Sequence, residues 1–372
     1  MGGTNSPAAG RRYRRARRLR HGRRGVVAVI GTLLALLVFF ALFGIFLTQY
    51  VPLWMTDNES EFVAESSTSF ATFKSVVDQQ YALGGPQTVG TAFPVSSQGV
   101  PLIAQPTEGT VSFVPNNCPG SGGVAFYTSP GGTYAGNGGG SNVSKQYGQP
   151  ITPSYCVFAN ITESVGPGGV ANYGQAIATG TLSASLPNRY YTPETFFYED
   201  DAVVEAQSVG YQVMAFPPPL NISTVGPNVT VTDSFLQLYG NSSSITGQGS
   251  ELIYSQLKYA SVQTSNGNGK PFSFTFEIGT EFPCAWDSYL YQVLSQSHLP
   301  LLTAANKAAG TASYQPTVWF GGVQSYVLTP TYSGNCFNSN GATTVLAFTL
   351  YNIDYAQVYV AGVQVTLGVG AT

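Results

Sequence analysis

The N-terminal part of the chain has the pattern of one long helix. The run VVAVIGTLLALLVFFALFGIFL, Val26–Leu47, contains 22 residues without a charge or a proline. As a helix it is about 33 Å long, enough to cross a hydrocarbon core of about 30 Å. Beyond this run, Pro52 predicts a kink. Apolar residues then continue at helical spacing, namely Met55, Phe62, Val63, Phe70, Phe73, Val77 and Tyr81.

The Gly84–Pro86 run ends this pattern, because glycine and proline stop helices. The sequence therefore predicts a kinked long helix over residues 26–83 with a transmembrane span over residues 26–47. The apolar stripe beyond the span fits two arrangements. In one the helix packs on its own globular domain, and in the other it also packs on neighbouring subunits.

From Pro86 onward the pattern is that of strands, with short β-branched and aromatic runs separated by Gly, Pro, Asn and Ser. Phe272–Ile278 alternates apolar and polar residues, as in a strand with one buried face. Val358–Leu367 repeats the alternation with a one-residue phase shift at Gly362, which predicts a bulge. Helical spacing within Asp287–Leu299 predicts one short helix. Further strands are predicted near residues 110–114, 179–185, 195–207, 230–238, 251–262 and 344–352.

These patterns predict an α+β fold, in which a long transmembrane or pilin-like helix precedes a mainly β ectodomain, a two-lobed antiparallel sandwich. A basic leader, residues 1–25, precedes the helix. The first β lobe covers residues 84–264 and includes a Gly-rich excursion at residues 115–154. The run SNGNGK, Ser265–Lys270, marks the boundary. The second lobe covers residues 265–372.

Charge is distributed unevenly along the chain. Nine of the fifteen basic residues are arginines within Arg11–Arg24, whereas none of the eighteen acids precedes Asp57. Because basic flanks of a span stay in the cytoplasm, we expect a single-pass protein with a cytoplasmic N-terminus and an extracellular C-terminal domain. Arginine clusters also bind nucleic acid. Here the cluster adjoins an apolar span, so the predicted partner is membrane lipid and not nucleic acid.

The sequence contains few of the residue patterns that carry catalysis. There is no G-x-S-x-G motif, and His298 is the one histidine after the span. The acidic run Glu199–Asp201, with Glu205 behind it, predicts a hairpin turn; a calcium loop and a glycosidase carboxylate pair are the alternatives. Two histidines and no C-x-x-C pair leave a zinc site short of ligands. We predict no catalytic residue, no cofactor and no metal, and a protein that is not an enzyme.

Cysteines and sequons fit an external location. The four cysteines predict two disulfides, and among three pairings Cys118–Cys156 with Cys284–Cys336 is favoured, because each closes a local loop. Six Asn-x-Ser/Thr sequons are candidates for N-glycosylation. They begin at Asn58, Asn142, Asn160, Asn221, Asn228 and Asn241.

Arg23-Arg24-Gly25 followed by VVAVIGTLL resembles the class III signal of archaeal type IV pilins and pilin-like surface proteins. The shared features are a basic region, a glycine at the cleavage point and an apolar segment with a Val-Ile-Gly-Thr element. The resemblance implies that a prepilin-type peptidase cleaves between Gly25 and Val26. The segment YYTPETFFYEDDAVVEAQ is similar to the β domains of archaeal pilin-like proteins. Ile30 stands where many bacterial pilins carry an acid.

Two functions follow as hypotheses. In the first, the protein is an archaeal pilin-like structural subunit, a membrane anchor that assembles into an extracellular filament with copies of itself or other pilin subunits, its β ectodomain serving adhesion. In the second, it is a permanently anchored module that binds glycans or envelope proteins without polymerising. A secreted-side hydrolase is the least favoured. With 9% charged residues, the surface depends little on ionised groups, and we expect the ectodomain to stay folded well below pH 4.

Overall fold

The computed structural model describes residues 10–100, 103–115, 156–164, 170–207, 210–225, 228–266, 269–280, 282–309, 312–320, 323–326 and 344–368. A long apolar helix is followed by a mainly β domain, so the fold is α+β. Helix α1 (Gly10–Leu83) has 74 residues and contains Pro52. It ends at the predicted residue, where Gly84 takes a φ of 63° and donates its N–H to the carbonyl of Gln80 at 3.0 Å.

The predicted apolar stripe of α1 packs against the chain's own β domain. Met55, Phe62, Phe70, Phe73 and Val77 are buried, and the two remaining members of the stripe are partly buried against the same core. Of the two arrangements that the spacing left open, packing on the chain's own domain is therefore present.

Seventeen strands and two short helices follow α1 within the described ranges. The helices are α2 (Pro283–Gln296) and α3 (Ala304–Ala309). The strands are β1 (Thr88–Pro94), β2 (Thr110–Val114), β3 (Cys156–Ser164), β4 (Val170–Ala178), β5 (Thr181–Leu186), β6 (Glu194–Glu199), β7 (Ala202–Gln207), β8 (Gln212–Phe216), β9 (Asn221–Val225), β10 (Asn228–Gly240), β11 (Ser243–Thr246), β12 (Ser250–Ser265), β13 (Phe272–Thr280), β14 (Ser313–Phe320), β15 (Val323–Tyr326), β16 (Thr344–Ile353) and β17 (Tyr355–Leu367).

These strands form three sheets. The central sheet has the order β1-β12-β17-β10-β9, the second β11-β2-β5-β6-β7-β8, and the third β15-β14-β16-β13-β3-β4. Two hydrophobic cores lie among them. The helix core contains the stripe of α1 with Phe93, Phe196 and Val363, and the sheet core contains Trp286 and Phe348.

The central sheet contributes to both cores. In β17, Val358 and Val360 belong to the sheet core, whereas Ala361 and Val363 belong to the helix core. Because successive strand residues point to opposite faces, this strand is buried on both sides near its middle. The two cores are therefore joined through one shared layer.

The predicted boundary at Ser265–Lys270 does not divide the sheets. β17 follows this boundary in the chain but pairs with β12 and β10, and β3 precedes it but pairs with β13. β17 also runs parallel to β10, contrary to the predicted antiparallel sandwich. The physical reason lies at Asp354, which accepts the N–H of Val229 at 2.8 Å and donates its own N–H to the carbonyl of Val229 at 3.0 Å. These bonds place the starts of both strands together, so the strands run in the same direction.

Three local predictions have clear outcomes. The apolar residues of Phe272–Ile278 are buried, as predicted for a strand with one core face. A register shift occurs opposite Gly362, but the extra residue is Lys258 on the neighbouring strand β12. The short helix is present as α2, and it begins at Pro283, before the predicted Asp287. The Gly-rich excursion at residues 115–154 lies outside the described residues beyond its first position.

Candidate functional site

The first half of α1 exposes an apolar surface. The described large hydrophobic residues from Val29 to Leu42 are more than half exposed. The helix from Ala28 onward is long and apolar enough to cross a membrane. A contiguous apolar surface of this size is unfavourable in water. This half of α1 therefore requires lipid or other apolar surfaces around it.

Aromatic rings continue along this surface towards the β domain. Phe39 stacks on Phe43 with ring centroids 5.9 Å apart, and Phe46 contacts Tyr50 at 5.8 Å and Trp54 at 5.5 Å. Tyrosine and tryptophan combine an apolar ring with a polar group, so they are enriched where a hydrocarbon core meets water. Tyr50 and Trp54 follow the 26–47 run directly.

The predicted cleavage residues Arg23, Arg24, Gly25 and Val26 all lie in the helical backbone of α1. Residues 1–9 of the basic leader lie outside the described residues. A helical backbone at these residues does not test whether a peptidase cleaves after Gly25, so this cleavage stays a prediction.

Glu59 fixes α1 to the β domain. Its carboxylate is fully buried and accepts four hydrogen bonds. The backbone N–H groups of Arg189, Tyr190 and Tyr191 donate at 3.1, 2.7 and 2.8 Å, and the hydroxyl of Thr107 donates at 2.6 Å. Burial alone raises the pKa of Glu59, but the hydrogen bonds outweigh burial and lower it. Glu59 is therefore held as a carboxylate.

The acidic run forms the predicted hairpin turn. Asp200 and Asp201 connect β6 to β7 and take φ values of 43° and 59°, the left-handed region used in tight hairpins. Unlike most turns, this one is buried, with Glu199, Asp200 and Asp201 each at most 4% exposed. The turn is covered because α1 and β10 pack over it.

Lys74 of α1 pairs with this turn. Its Nζ lies 2.7 Å from Oδ1 of Asp201 and 3.4 Å from Oδ2 of Asp78. The hydroxyls of Tyr198 and Ser234 also donate to Asp201, at 2.9 and 3.3 Å. Burial raises the pKa of Asp201 to about 6, against the opposing effect of Lys74.

Asp200 of the turn and Asp233 of β10 are buried acids that accept backbone N–H groups of β10. Asp200 accepts the backbone N–H of Leu236 at 3.3 Å, and Asp233 accepts that of Ser234 at 2.9 Å. Oδ2 of Asp233 is buried without a hydrogen-bond partner. Burial raises the pKa of Asp233 to about 8, and burial with the nearby Asp233 carboxylate raises that of Asp200 well above its usual value. Burial therefore favours the protonated, neutral form of both carboxyl groups.

A pocket of about 280 Å³ adjoins these acids between α1 and the central sheet. Its walls include Val77, Asp78 and Tyr81 of α1, with Leu236 and Tyr359 of the sheet. The rings of Tyr81 and Tyr359 meet edge to face at 5.6 Å. The surface of the pocket is mainly apolar, and the acids Asp78, Asp201 and Asp233 also line it. Such a pocket suits a small ligand with an apolar body.

The sequence located the acidic turn but missed its burial and missed Glu59. A signal for Glu59 exists, because it lies four residues after Met55 and three before Phe62, on the apolar stripe. A carboxylate at a core position needs hydrogen-bond donors. That requirement indicates a partner contributed by the β domain.

The remaining predicted site residues are dispersed. Cys284 is disulfide-bonded, but Cys118 and Cys336 lie outside the described residues, and of Cys156 only the backbone is described, so the pairing stays a prediction. His298 is exposed. Within the described residues, no cluster of three or more His, Cys, Asp or Glu side chains is arranged to hold a metal ion.

The predicted sequons differ in surroundings. Asn221, Asn228 and Asn241 are exposed, whereas Nδ2 of Asn58 donates to the carbonyl of Gln98 at 2.9 Å. Asn142 lies outside the described residues, and Asn160 is described only as part of β3. Glycosylation of Asn58 would require this hydrogen bond to break.

The chain matches no protein-family model, no curated protein and no solved structure.

Proposed function

We propose that this protein is a pilin-like cell-surface subunit, anchored by α1 before assembly and presenting its β domain outside the cell. The observation that carries the proposal is the division of α1 into two halves. One half exposes its apolar side chains around the helix, and the other is packed into the helix core. A helix of this kind joins an apolar environment to a folded domain without a flexible linker.

The role in a filament rests on the resemblance of Arg23-Arg24-Gly25 and the following apolar run to a class III signal. Cleavage before Val26 removes the arginines and leaves a helix whose first charge is Asp57. In lipid or in a bundle of such helices, the same apolar surface is removed from water. The expected partners are membrane lipid, a prepilin-type peptidase, and copies of this chain or other pilin subunits.

Mass spectrometry of the N-terminus of protein isolated from its native cells tests the proposal, and Val26 is the expected first residue. Gly25→Leu should leave full-length protein in the membrane and reduce filaments. Gly44→Leu is the matched control, because Gly44 lies in the same helix outside the signal-like segment and a Cβ there meets nothing within 4 Å. A mature protein that still begins before Gly25 contradicts the filament role.

The pocket between Tyr81 and Tyr359 favours a second candidate, an anchored module that binds an extracellular ligand without polymerising. That function needs the membrane span but no processing. Protein that retains its arginine leader and stays monomeric after detergent extraction would support it over the filament subunit.

A further inference from the structure

The pocket of about 280 Å³ lies between the last two turns of α1 and the central sheet. Val77, Asp78 and Tyr81 form its helix wall. Val77 is 1% exposed, whereas the Asp78 side chain is 48% exposed and Tyr81 is partly exposed. The helix wall therefore passes from the buried core to solvent, and a ligand enters the pocket beside Asp78.

The floor of the pocket is the side of β10 and β17 that faces α1. These strands are paired, with Ser234 opposite Tyr359 and Leu236 opposite Ala361. Leu236 and Ala361 belong to the helix core, and alternate residues of a strand share one face. Ser234 and Tyr359 therefore face α1 as well, and the ring of Tyr359 meets that of Tyr81 at 5.6 Å. The interior of the pocket is thus apolar and aromatic.

The two carboxylates on the helix side of the pocket differ in how well Lys74 pairs them. Nζ of Lys74 lies 2.7 Å from Oδ1 of Asp201 and 3.4 Å from Oδ2 of Asp78. Charge-assisted hydrogen bonds between nitrogen and oxygen usually span about 2.7–2.9 Å, so Lys74 bonds chiefly to Asp201. A carboxylate has about four acceptor positions. Asp78 therefore has room for a further donor, supplied by a ligand.

The charges around the pocket favour a cation. Asp201, with a pKa of about 6, is largely ionised at neutral pH, so it and Asp78 oppose the one ammonium group of Lys74. Asp233 also borders the pocket, but it shares a strand face with Phe235 of the sheet core, so its carboxyl group lies on the other side of the sheet. The last turn of α1 contains no basic residue, and the C-terminal end of a helix attracts positive charge.

We propose that this pocket binds a small organic cation, with its ammonium group at Asp78 and its apolar body against Tyr81 and Tyr359. The volume is just below the usual range for ligand pockets, roughly 300–1,000 Å³, which suits one ring or a short chain. Aromatic rings attract cations as well as apolar groups, whereas an anion meets like charge at Asp78. The proposal rests on the second candidate function, in which an anchored module binds an extracellular ligand, and it names the class of that ligand.

Isothermal titration calorimetry of the full chain in detergent tests the site with three probes of similar size. Phenethylamine is the cation, phenethyl alcohol is the neutral analogue and hydrocinnamate is the anion. Each probe is also titrated into empty micelles, because aromatic molecules partition into detergent, and these heats are subtracted. We expect the amine to bind about tenfold more tightly than the alcohol, since its hydrogen bond to a carboxylate is ionic. Hydrocinnamate should not bind.

Variants locate the bound probe. Asp78→Asn should lower the affinity for the amine about tenfold, to that of the alcohol, and leave the alcohol unchanged. Glu65→Gln, at another exposed acid of α1, is the matched control and should bind the amine as the unaltered protein does. Tyr359→Leu should weaken both amine and alcohol, because it removes a ring from the floor. If Tyr359→Leu lowers the thermal midpoint, the exposed change Asp78→Asn decides alone.

Three results overturn the proposal. Equal affinities for amine and alcohol, or an unchanged affinity for the amine in Asp78→Asn, show that the pocket does not select a cation. No binding of any probe overturns the pocket as a ligand site. Failure of the second candidate function is seen separately, because it requires processing to Val26 and assembly into filaments, which calorimetry of the pocket does not measure.

Discussion

Lys74 on α1 lies 2.7 Å from Asp201 in the β6–β7 turn, and both side chains are at most 14% exposed. This contact joins the long helix to the most buried acidic turn of the described chain. We expect Lys74→Met to lower the free energy of unfolding by about 2–3 kcal/mol at neutral pH, because it leaves a buried carboxylate without its cation. Thermal unfolding in detergent, followed by circular dichroism, should show a midpoint about 3–5 °C lower.

The effect of Lys74→Met should depend on pH. The pKa of Asp201 is raised to about 6, so below that value Asp201 is protonated and no buried charge is left unpaired. The loss should therefore shrink towards pH 4. Lys258→Met, at an exposed lysine on β12, is the control. An equal loss at both pH values would assign the effect to lost packing.

Asp233→Asn should stabilise the protein at alkaline pH. The pKa of Asp233 is raised to about 8, with burial as the main cause. In the unaltered protein its contribution to stability is complete below the unfolded pKa near 4 and is lost as the pH rises to about 8. Asparagine stays neutral, so the variant should gain about 2–4 kcal/mol at pH 9 and nothing at pH 4.

Thermal midpoints measured from pH 4 to pH 9 check this expectation. Glu251→Gln, at an exposed acid of β12, should leave the profile unchanged. A destabilised Asp233→Asn variant at pH 9 would mean that the ionised carboxylate is stabilised by a partner that the fold does not otherwise indicate.

Glu59→Gln should destabilise the junction between α1 and the β domain. A glutamine offers one acceptor oxygen and no charge to the N–H groups of Arg189, Tyr190 and Tyr191. We expect a loss of about 2–4 kcal/mol at neutral pH. Glu61→Gln, two residues away and exposed, should change the midpoint little.

The pH dependence at Glu59 has the opposite sign to that at Asp233. The lowered pKa of Glu59 means that its contribution is present above the usual glutamate range and is lost as the pH falls through the folded value. The gap between the unaltered protein and Glu59→Gln should therefore close in strong acid. The buried aspartates stabilise the fold more at acid pH, whereas Glu59 stabilises it more at higher pH. The maximal free energy of unfolding is therefore expected near pH 4. A gap that does not narrow as the pH falls below the usual glutamate range would contradict the role of the charge.

Gly362→Ala should be strongly destabilising. A Cβ at this position would lie 1.9 Å from Cε1 of Tyr259, whose hydroxyl donates to Oε1 of Gln237 at 2.9 Å. We expect a loss of about 3 kcal/mol, because the ring must move. Tyr259→Ala should reduce the additional cost of the change at Gly362, and a double-mutant cycle measures this coupling. Gly247→Ala, where a Cβ meets nothing within 4 Å, is the control.

The sequence predicted the parts of the fold that depend on local pattern. The end of α1 at Leu83 and the buried face of β13 follow from periodicity and from glycine and proline positions. Sheet membership could not be predicted, since the partners of a strand are set by contacts distant in the chain. The phase shift at Gly362 indicated an irregularity, but only the pairing with Tyr259 shows which strand carries the extra residue.

The candidate site also has features that a local sequence pattern predicts and features that depend on contacts distant in the chain. Acidic residues between apolar runs identified the turn at Asp200 and Asp201, because that is turn chemistry. Their burial follows from the helix and strand packed over them, which no local pattern records. Glu59 was visible as an acid within an apolar stripe, and its partners come from a loop 130 residues away.

The place of β17 sets the order in which this fold can be completed. β17 comes after every other described strand, yet it lies between β12 and β10 at the middle of the central sheet. If the chain leaves the cell with α1 as its leading anchor, the earlier strands emerge while the gap between β10 and β12 is still unfilled. The exposed edges and the open faces of both cores are then prone to aggregation until β17 arrives. An export route of this kind therefore calls for protection of a nearly finished domain until its last strand arrives.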